Sequence, residues 1–176
     1  MAPDDVIITG DFADKAFDQL QSNASNLTLT KNEYGKVTGS VKEGATATAT
    51  EQRLLDAIGD SSVTVNVKTT SSNTLVNSNG ENQILIGGQF EGSKVVSETN
   101  QGKIMKANQT VNPNQTEKIE NAAGLAKGTI LAHETLEAYE GAKITQASNN
   151  VDGSAYSTYK QAHHKVNNTY KQANTS

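Results

Sequence analysis

Apolar and polar residues alternate in several stretches of the N-terminal half of the chain, which predicts β-strands. Residues 6–9 (Val-Ile-Ile-Thr) do not alternate and predict a short strand or an entry segment, whereas the alternating stretches are residues 27–30, 37–41 and 62–69. The turn sequence Asn32-Glu-Tyr-Gly35 joins two of them, so these two predict a β-hairpin. The last stretch is the clearest, because Val63, Val65 and Val67 fall on one face.

Two other stretches have apolar residues at helical spacing. Asp11 is the predicted N-cap of the first helix, and Gly59 is the predicted end of the second. The inward-facing residues are Phe12, Ala16, Phe17 and Leu20 in residues 11–21, and Leu54, Leu55 and Ile58 in residues 50–58.

The middle of the chain is less regular. Residues 71–82 are polar and predict a loop, whereas residues 83–88 predict a buried strand ending in Gly87-Gly88. Paired glycines allow close approach of another backbone, and a tight bend is the plainest interpretation. They are also compatible with the border of a cleft in which a peptide adds as an edge strand. Residues 89–114 give no firm prediction beyond short strands near 94–97 and 103–107.

The C-terminal third predicts two helices, residues 115–142 and 154–172, joined by a polar loop at 145–153. Gly124, Gly128 and Ala132 recur every fourth residue in the first helix, which clears one face for a neighbour. The order of elements predicts an α+β fold, a small mixed or antiparallel sheet with helices packed on it. The length fits one domain covering residues 1–176.

Composition narrows the functional classes. The net charge is −4 and no dense Lys/Arg cluster occurs, which argues against a nucleic-acid partner. No apolar run approaches the roughly 20 residues that span a bilayer, so no membrane partner is expected. The acidic N-terminus has no apolar signal core, so any export signal would come from a longer parent protein. Cysteine is absent, which leaves histidine and carboxylates as the strong metal ligands.

The concentrated chemistry is a His-Glu-x-x-Glu run on the first long helix. His133 and Glu137 are four residues apart, so both lie on one helix face and can hold one ion. Glu134 lies roughly 100° around the helix, where it reaches a metal-bound water without being a ligand. In His-Glu-x-x-His helices the two histidines likewise bind the zinc, and the intervening glutamate acts as the general base. The stripe that contains the run is Ile119, Ala123, Ala126, Ile130, His133, Glu137 and Glu140.

A catalytic zinc needs a third protein ligand and an open position. The chain has three histidines, and the other two are His163 and His164 on the last helix. His163 falls on the inward stripe of that helix, whereas His164 shares its face with lysines. The predicted zinc site is therefore His133, Glu137 and His163, with water in the fourth place. The inward stripe of the last helix is Tyr156, Tyr159, His163, Val166 and Tyr170.

Residues 128–141 resemble the active-site helix of zincin metallopeptidases. More loosely, the chain resembles the metallopeptidase-like domains at the C-terminus of bacterial Rhs/YD-repeat polymorphic toxins. That likeness rests on the hairpin, the Leu-Leu-Asp-Ala-Ile helix with its following strand, the Gly-rich loop and the late active helix. The resemblance implies a zincin-like fold, His133 as ligand, Glu134 as general base, and Glu137 at the position where the common motif has histidine. It also implies a protein or peptide substrate, an immunity protein as partner, and secretion as the C-terminal part of a larger bacterial protein.

A zinc-dependent hydrolase, acting as a peptidase, is the leading hypothesis. Four other interpretations stay open. The glutamates can form a solvated acidic face, or the domain can be a non-catalytic binding module on a degenerate zincin scaffold. A nuclease using His163, His164 and Lys165 is disfavoured by the acidic pI. A two-metal site using Glu134, Glu137 and Glu140 lacks the Glu-x-x-His pairs that such bundles use.

Overall fold

A computed structural model describes residues 4–76, 79–148 and 156–170 of the chain. Within these ranges the chain forms five helices and eight strands. In chain order they are β1 (Asp4–Gly10), α1 (Ala13–Asn23), β2 (Leu27–Lys31), β3 (Lys36–Val41), α2 (Ala49–Gly59), β4 (Val63–Thr69), β5 (Thr74–Val76), β6 (Asn82–Ile84), β7 (Gly88–Thr99), β8 (Gly102–Val111), α3 (Pro113–Ala123), α4 (Thr129–Ala147) and α5 (Tyr156–Tyr170).

Six of the strands form one mixed sheet in the order β2-β3-β1-β4-β8-β7. Strands β1, β4 and β8 run parallel, while β3 and β7 pair antiparallel with β1 and β8. Strand β7 is therefore an edge strand. Strands β5 and β6 pair only with each other, as a small second sheet. The predicted α+β fold with a mixed sheet is confirmed.

Burial on one face explains the strands that the sequence predicted. Val6 of β1 pairs with Val65 of β4, which pairs with Ala107 of β8, and all three are fully buried. Alternate residues of β4 face the other way and are more exposed. Strands β2 and β3 form the predicted hairpin. The helices cover the apolar face, so the core lies between the sheet and α1, α2 and α4.

The predicted helices at the N-terminal end are present with shifted ends. Helix α2 begins with a capping box, in which Thr48 accepts from the backbone of Glu51 and Glu51 accepts from that of Thr48. Helix α1 begins two residues after Asp11, which was wrongly predicted to be its cap. The N-cap is Phe12, whose left-handed backbone (φ 61°) carries no side-chain cap. Asp11 accepts instead from the Ser71 hydroxyl at 3.4 Å.

The prediction for residues 71–88 was wrong in two respects. The supposed loop contains β5, and the supposed buried strand ends at Ile84, with Ile84 and Ile86 largely exposed. Only Leu85 of this segment is inward-facing among the large apolar residues. Strands β7 and β8 are far longer than predicted, because only one face of this part of the sheet is covered and their other positions are polar.

The predicted helix over residues 115–142 is two helices. Gly124 (φ 69°) is the C-cap that follows α3, and Gly128 (φ 85°) is the N-cap that precedes α4. Both lie in the left-handed region that glycine adopts without steric cost. The recurring glycines mark helix ends, and the close approach of a neighbour is present at Gly128, where a Cβ would overlap the backbone carbonyl of Gln19 on α1. The predicted stripe from Ile119 to Glu140 crosses the break between the two helices. Helix α4 also continues to Ala147, into the predicted loop.

Helix α4 is the central element around which the candidate site forms. Its buried apolar residues contact the sheet on one side, and α5 packs against the other. Helix α5 confirms the second predicted helix where it is described, and residues 149–155 and 171–172 of those predictions lie outside the described residues. Among the described helices, none combines the length and apolar character needed to cross a bilayer.

Candidate metal centre

The start of α4, which places the His-Glu-x-x-Glu run, is fixed by a glutamate of the preceding helix. Glu120 is buried and accepts from the backbone N–H of Gly128 at 3.0 Å and from that of Ile130 at 2.9 Å. The first N–H groups of a helix have no partner inside the helix, and a carboxylate also complements the positive end of the helix dipole. The sequence did not predict this cap, because residues 115–142 were predicted to form one helix, which has no start at 128.

The three predicted ligands converge at one point. His133 Nε2 lies 3.1 Å from Glu137 Oε2 and 3.3 Å from His163 Nδ1, and the latter two atoms are 2.7 Å apart. His133 and Glu137 come from consecutive turns of α4, and His163 comes from α5. Among the described residues these three form a cluster able to hold a metal ion. His164 is exposed, so the choice between the neighbouring histidines is the one predicted.

The spacing and chemistry of these donors fit zinc. A tetrahedral ion with bonds of about 2.0–2.1 Å holds its ligand atoms about 3.3 Å apart, which the separations of 3.1 and 3.3 Å from His133 Nε2 match. The 2.7 Å between Glu137 Oε2 and His163 Nδ1 is a hydrogen-bond distance and would have to lengthen around an ion. Two imidazole nitrogens and one carboxylate oxygen are a donor set found in catalytic zinc sites. The Glu137 carboxylate is almost completely buried, where a full negative charge needs a positive partner.

The electrostatics of the cluster also favour a cation. Burial opposes a charge on His133, but the hydrogen bond with Glu137 and the negative charges of Glu134 and Glu137 outweigh it. The pKa of His133 therefore lies above its ordinary value. The negative charges that stabilise a proton on His133 would also stabilise a bound metal ion, and both imidazoles would then be neutral.

Glu134 lies beside the cluster rather than in it. Its carboxylate accepts a hydrogen bond from the carboxamide of Gln109 on β8. Burial and the neighbouring charge of Glu137 raise the pKa of Glu134 to about 7, against the opposing effects of His133 and Gln109. A carboxylate with a pKa near neutrality is suited to accept and release a proton at physiological pH.

Gln109 is a site residue that the sequence analysis did not single out. It faces inward from β8 and is fully buried, in a row with Ile8 of β1 and Val67 of β4. Its Oε1 has no hydrogen-bond partner among the described residues, so its bond to Glu134 is its one polar contact there. The signal was a polar residue at a strand position whose neighbours Ala107 and Val111 are apolar. Without a firm strand prediction for 103–111, that signal could not be recognised.

The last acidic residue of the predicted stripe has a different role. Glu140 is fully buried, with Oε1 2.5 Å from Nε of Arg53 and Oε2 2.6 Å from Nζ of Lys165. Burial alone would raise the pKa of Glu140, but these two cations hold it below its ordinary value. Glu140 thus joins α2, α4 and α5 and does not belong to the metal cluster, which argues against the two-metal hypothesis.

The remaining interpretations can be compared with the same geometry. Glu137 and Glu140 are buried, so the acidic run is not a solvated face. Lys165 pairs with Glu140, while His163 joins the metal cluster and His164 is exposed, so the three residues of the nuclease hypothesis do not converge. The side chains of Tyr156, Tyr159 and Tyr170 lie outside the described part of the chain.

A comparison of the chain with protein-family models finds no matching family, and comparisons with curated proteins and with solved structures find no match. The chemistry of the site is therefore argued from its geometry.

Proposed function

We propose that this chain is a zinc-dependent metallohydrolase, a peptidase with a variant His-Glu-x-x-Glu motif on a zincin-like scaffold. One observation carries the proposal. The donor atoms of His133, Glu137 and His163 meet within 3.3 Å of one another, although 30 residues separate the first from the last. A helix places two of them together by its period, but only folding brings the third.

The residues have distinct roles in this proposal. His133, Glu137 and His163 would hold the ion. Zinc bound there would supply Lewis acidity, which makes a water molecule easier to deprotonate and a carbonyl carbon easier to attack. The Glu134 carboxylate accepts the proton, and its pKa of about 7 suits that step near neutral pH. Gln109 orients this carboxylate through its hydrogen bond to Oε2.

The position of β7 supports a peptide as the substrate. Strand β7 is at the edge of the sheet, and its first residue, Gly88, lies against the Glu134 side chain. An extended peptide can add to a free strand edge through main-chain hydrogen bonds, which would carry its peptide groups past the site. Glu137 donates more charge to an ion than a histidine does, so we expect a weaker Lewis acid than in an all-histidine site.

The experiment combines metal analysis with proteolysis. Purified protein is assayed for zinc by mass spectrometry and for casein hydrolysis with and without a chelator. We expect about one zinc per chain and chelator-sensitive hydrolysis. Glu134→Gln should abolish hydrolysis and keep the zinc, whereas His163→Ala should lose the zinc. His164→Ala is the matched control, since it removes the neighbouring, exposed imidazole.

Three outcomes would contradict the proposal. Wild-type protein that binds zinc but cleaves nothing would instead be a metal-binding module on the same scaffold. Loss of zinc in Glu134→Gln would contradict the role of Glu134 as base. Equal zinc loss in the two histidine variants would contradict the assignment of His163.

The proposed role as a toxin or effector domain, with an immunity protein as partner, is supported by the sequence resemblance alone. Expression of wild-type protein in bacterial cells should then slow growth, and Glu134→Gln should relieve the effect. Equal toxicity of the two proteins would separate any toxicity from peptidase activity.

A further inference from the structure

The small β5–β6 sheet and the segment that follows it carry three exposed apolar side chains. Val76, Ile84 and Ile86 are 67, 75 and 73 % exposed. Thr74 lies opposite Ile84 and Val76 lies opposite Asn82 in the antiparallel pair, so Val76 and Ile84 project from the same face. Ile86 follows the end of β6 and is exposed like Ile84, whereas Leu85 between them is 1 % exposed and packs into the core.

The base of this small sheet is firmly held. The backbone N–H of Leu85 donates to the carbonyl of Asn73 at 2.8 Å. The Asn112 side chain, which caps α3, donates to the carbonyl of Ser72 at 3.0 Å and to Oδ1 of Asn73 at 3.2 Å. An isolated two-stranded sheet is marginally stable in water, so these anchors and buried Leu85 fix it in place. Its apolar face is thus presented in a defined position.

The backbone that follows these residues reaches Glu134, beside the candidate metal centre. After Ile86 the chain passes through Gly87, whose N–H donates to Oε1 of Gln115 at 3.0 Å, and reaches Gly88 against Glu134. An extended chain advances about 3.3 Å per residue, so Ile86 and Ile84 lie within about 7 and 13 Å of Gly88 along the chain. A peptide with its scissile bond at Glu134 would reach this face two to four residues away.

We propose that Val76, Ile84 and Ile86 form a subsite that binds a large apolar side chain of the polypeptide substrate, two to four residues from the scissile bond. This subsite rests on the proposed peptidase function. A second copy of the chain is a poorer occupant. Three side chains expose roughly a few hundred Å² of apolar surface, well below the about 800 Å² per partner of a stable interface.

The test measures binding separately from cleavage. The probes are 12-residue Gly/Ser peptides, each of which carries a single Leu, Phe or Thr at one position, and every position is tested in turn. Their affinity is measured for the Glu134→Gln protein, which should bind peptides without cleaving them. A second protein, called the hairpin variant after the β5–β6 pair, carries Ile84→Thr and Ile86→Thr in addition to Glu134→Gln. Both substitutions retain β-branched side chains at exposed positions. The matched control adds Val96→Thr, an exposed valine eight residues beyond Gly88 on β7.

We expect the Leu and Phe peptides to bind at least about tenfold tighter than the Thr peptides, and this preference to disappear in the hairpin variant alone. Mass spectrometry of wild-type digests should place a large apolar residue two to four positions from the cleaved bond. An absent apolar preference, or one that the hairpin variant retains, overturns the subsite. So does a dimer, seen by sedimentation, that the hairpin substitutions dissociate. Apolar binding without cleavage by the wild-type protein would reject the peptidase function and keep the apolar peptide site.

Discussion

Gly88 lies directly against the side chain of Glu134. A Cβ atom added to Gly88 would be 2.8 Å from Cδ and Cγ of Glu134 and 2.9 Å from its Oε2. The backbone of Gly88 is outside the left-handed region, so alanine is compatible with its conformation. The missing side chain, rather than backbone freedom, therefore lets the carboxylate lie against the edge strand and reach Gln109.

Gly88→Ala should displace the Glu134 carboxylate with little effect on the proposed zinc ligands His133, Glu137 and His163. We expect turnover to fall roughly tenfold to a hundredfold, because small displacements of a catalytic group have effects of that size. The crowding should lower the free energy of unfolding by about 1–3 kcal/mol. Gly59→Ala at the end of α2 is the control, since its Cβ would meet nothing within 4 Å. The measurements are steady-state kinetics, zinc content and urea unfolding. Full activity of Gly88→Ala would contradict the tight contact between Gly88 and Glu134.

The sequence predicted which side chains meet in the candidate site more successfully than it predicted the residues around them. The helix period places His133 and Glu137 on one face, and the scarcity of histidine pointed to His163. Gln109 and Glu120 depend on which strands and helices meet, and no local pattern encodes that. Their signals, an inward polar residue in a strand and a glutamate before a helix start, are visible only when those elements are assigned correctly.

A second prediction concerns the stability of the metal-free protein. Burial and the charge of Glu137 raise the pKa of Glu134 from 4.5 to about 7. Between these values the folded protein holds a proton that the unfolded chain releases, so the free energy of unfolding falls as pH rises. The full difference corresponds to about 3 kcal/mol. Glu134→Gln removes the ionisation and should be more stable than wild type by up to about 3 kcal/mol at pH 8.

At pH 4.5 and below, the two metal-free proteins should differ by less than about 0.5 kcal/mol, since Glu134 is then protonated in the folded state and at most half ionised in the unfolded chain. Urea unfolding in the presence of a chelator measures both points. Glu43→Gln, at an exposed position, is the control and should show no pH-dependent gain. Parallel pH profiles for Glu134→Gln and wild type would show that Glu134 ionises normally.

The glycines between α3 and α4 show where sequence periodicity misled. A four-residue recurrence of small residues is compatible with a packed helix face and equally with two helix ends. What decides is the backbone conformation, together with the Glu120 carboxylate that replaces the missing helical hydrogen bonds at Gly128. Strands β7 and β8 were predicted too short, because the polar residues on their uncovered face interrupt the apolar pattern by which a strand is recognised.

Alanine substitutions at Gly124 and Gly128 should therefore have unequal effects. Gly124 has a φ of 69° and open space around its Cβ position, so Gly124→Ala should lower the free energy of unfolding by only about 1 kcal/mol. Gly128 has a φ of 85°, and its Cβ would overlap the carbonyl of Gln19 on α1, so about 3 kcal/mol or more is expected. Urea unfolding of both variants provides the measurement. Similar values would indicate that α1 does not press on the start of α4.

Glu140 does not contact the proposed ligand His163, but it holds the helix that carries His163, so a substitution of Glu140 tests this indirect support. Its carboxylate pairs with Lys165, two residues after His163, and so fixes the position of α5 against α4. Glu140→Gln leaves Arg53 and Lys165 facing a neutral amide. We expect a loss of about 1–3 kcal/mol, below the usual figure for a broken buried pair because both cations are partly exposed.

The same substitution should weaken zinc binding about tenfold, the effect typical of residues that support a ligand from behind, while about one zinc per chain still binds at saturation. Competition with a zinc chelator measures the affinity. Asp56→Asn, which removes the more exposed carboxylate beside Arg53 and leaves Glu140 in place, is the control and should change neither quantity appreciably. Complete loss of zinc in Glu140→Gln would make Glu140 a ligand. An unchanged affinity would mean that His163 holds its position without the Lys165 ion pair.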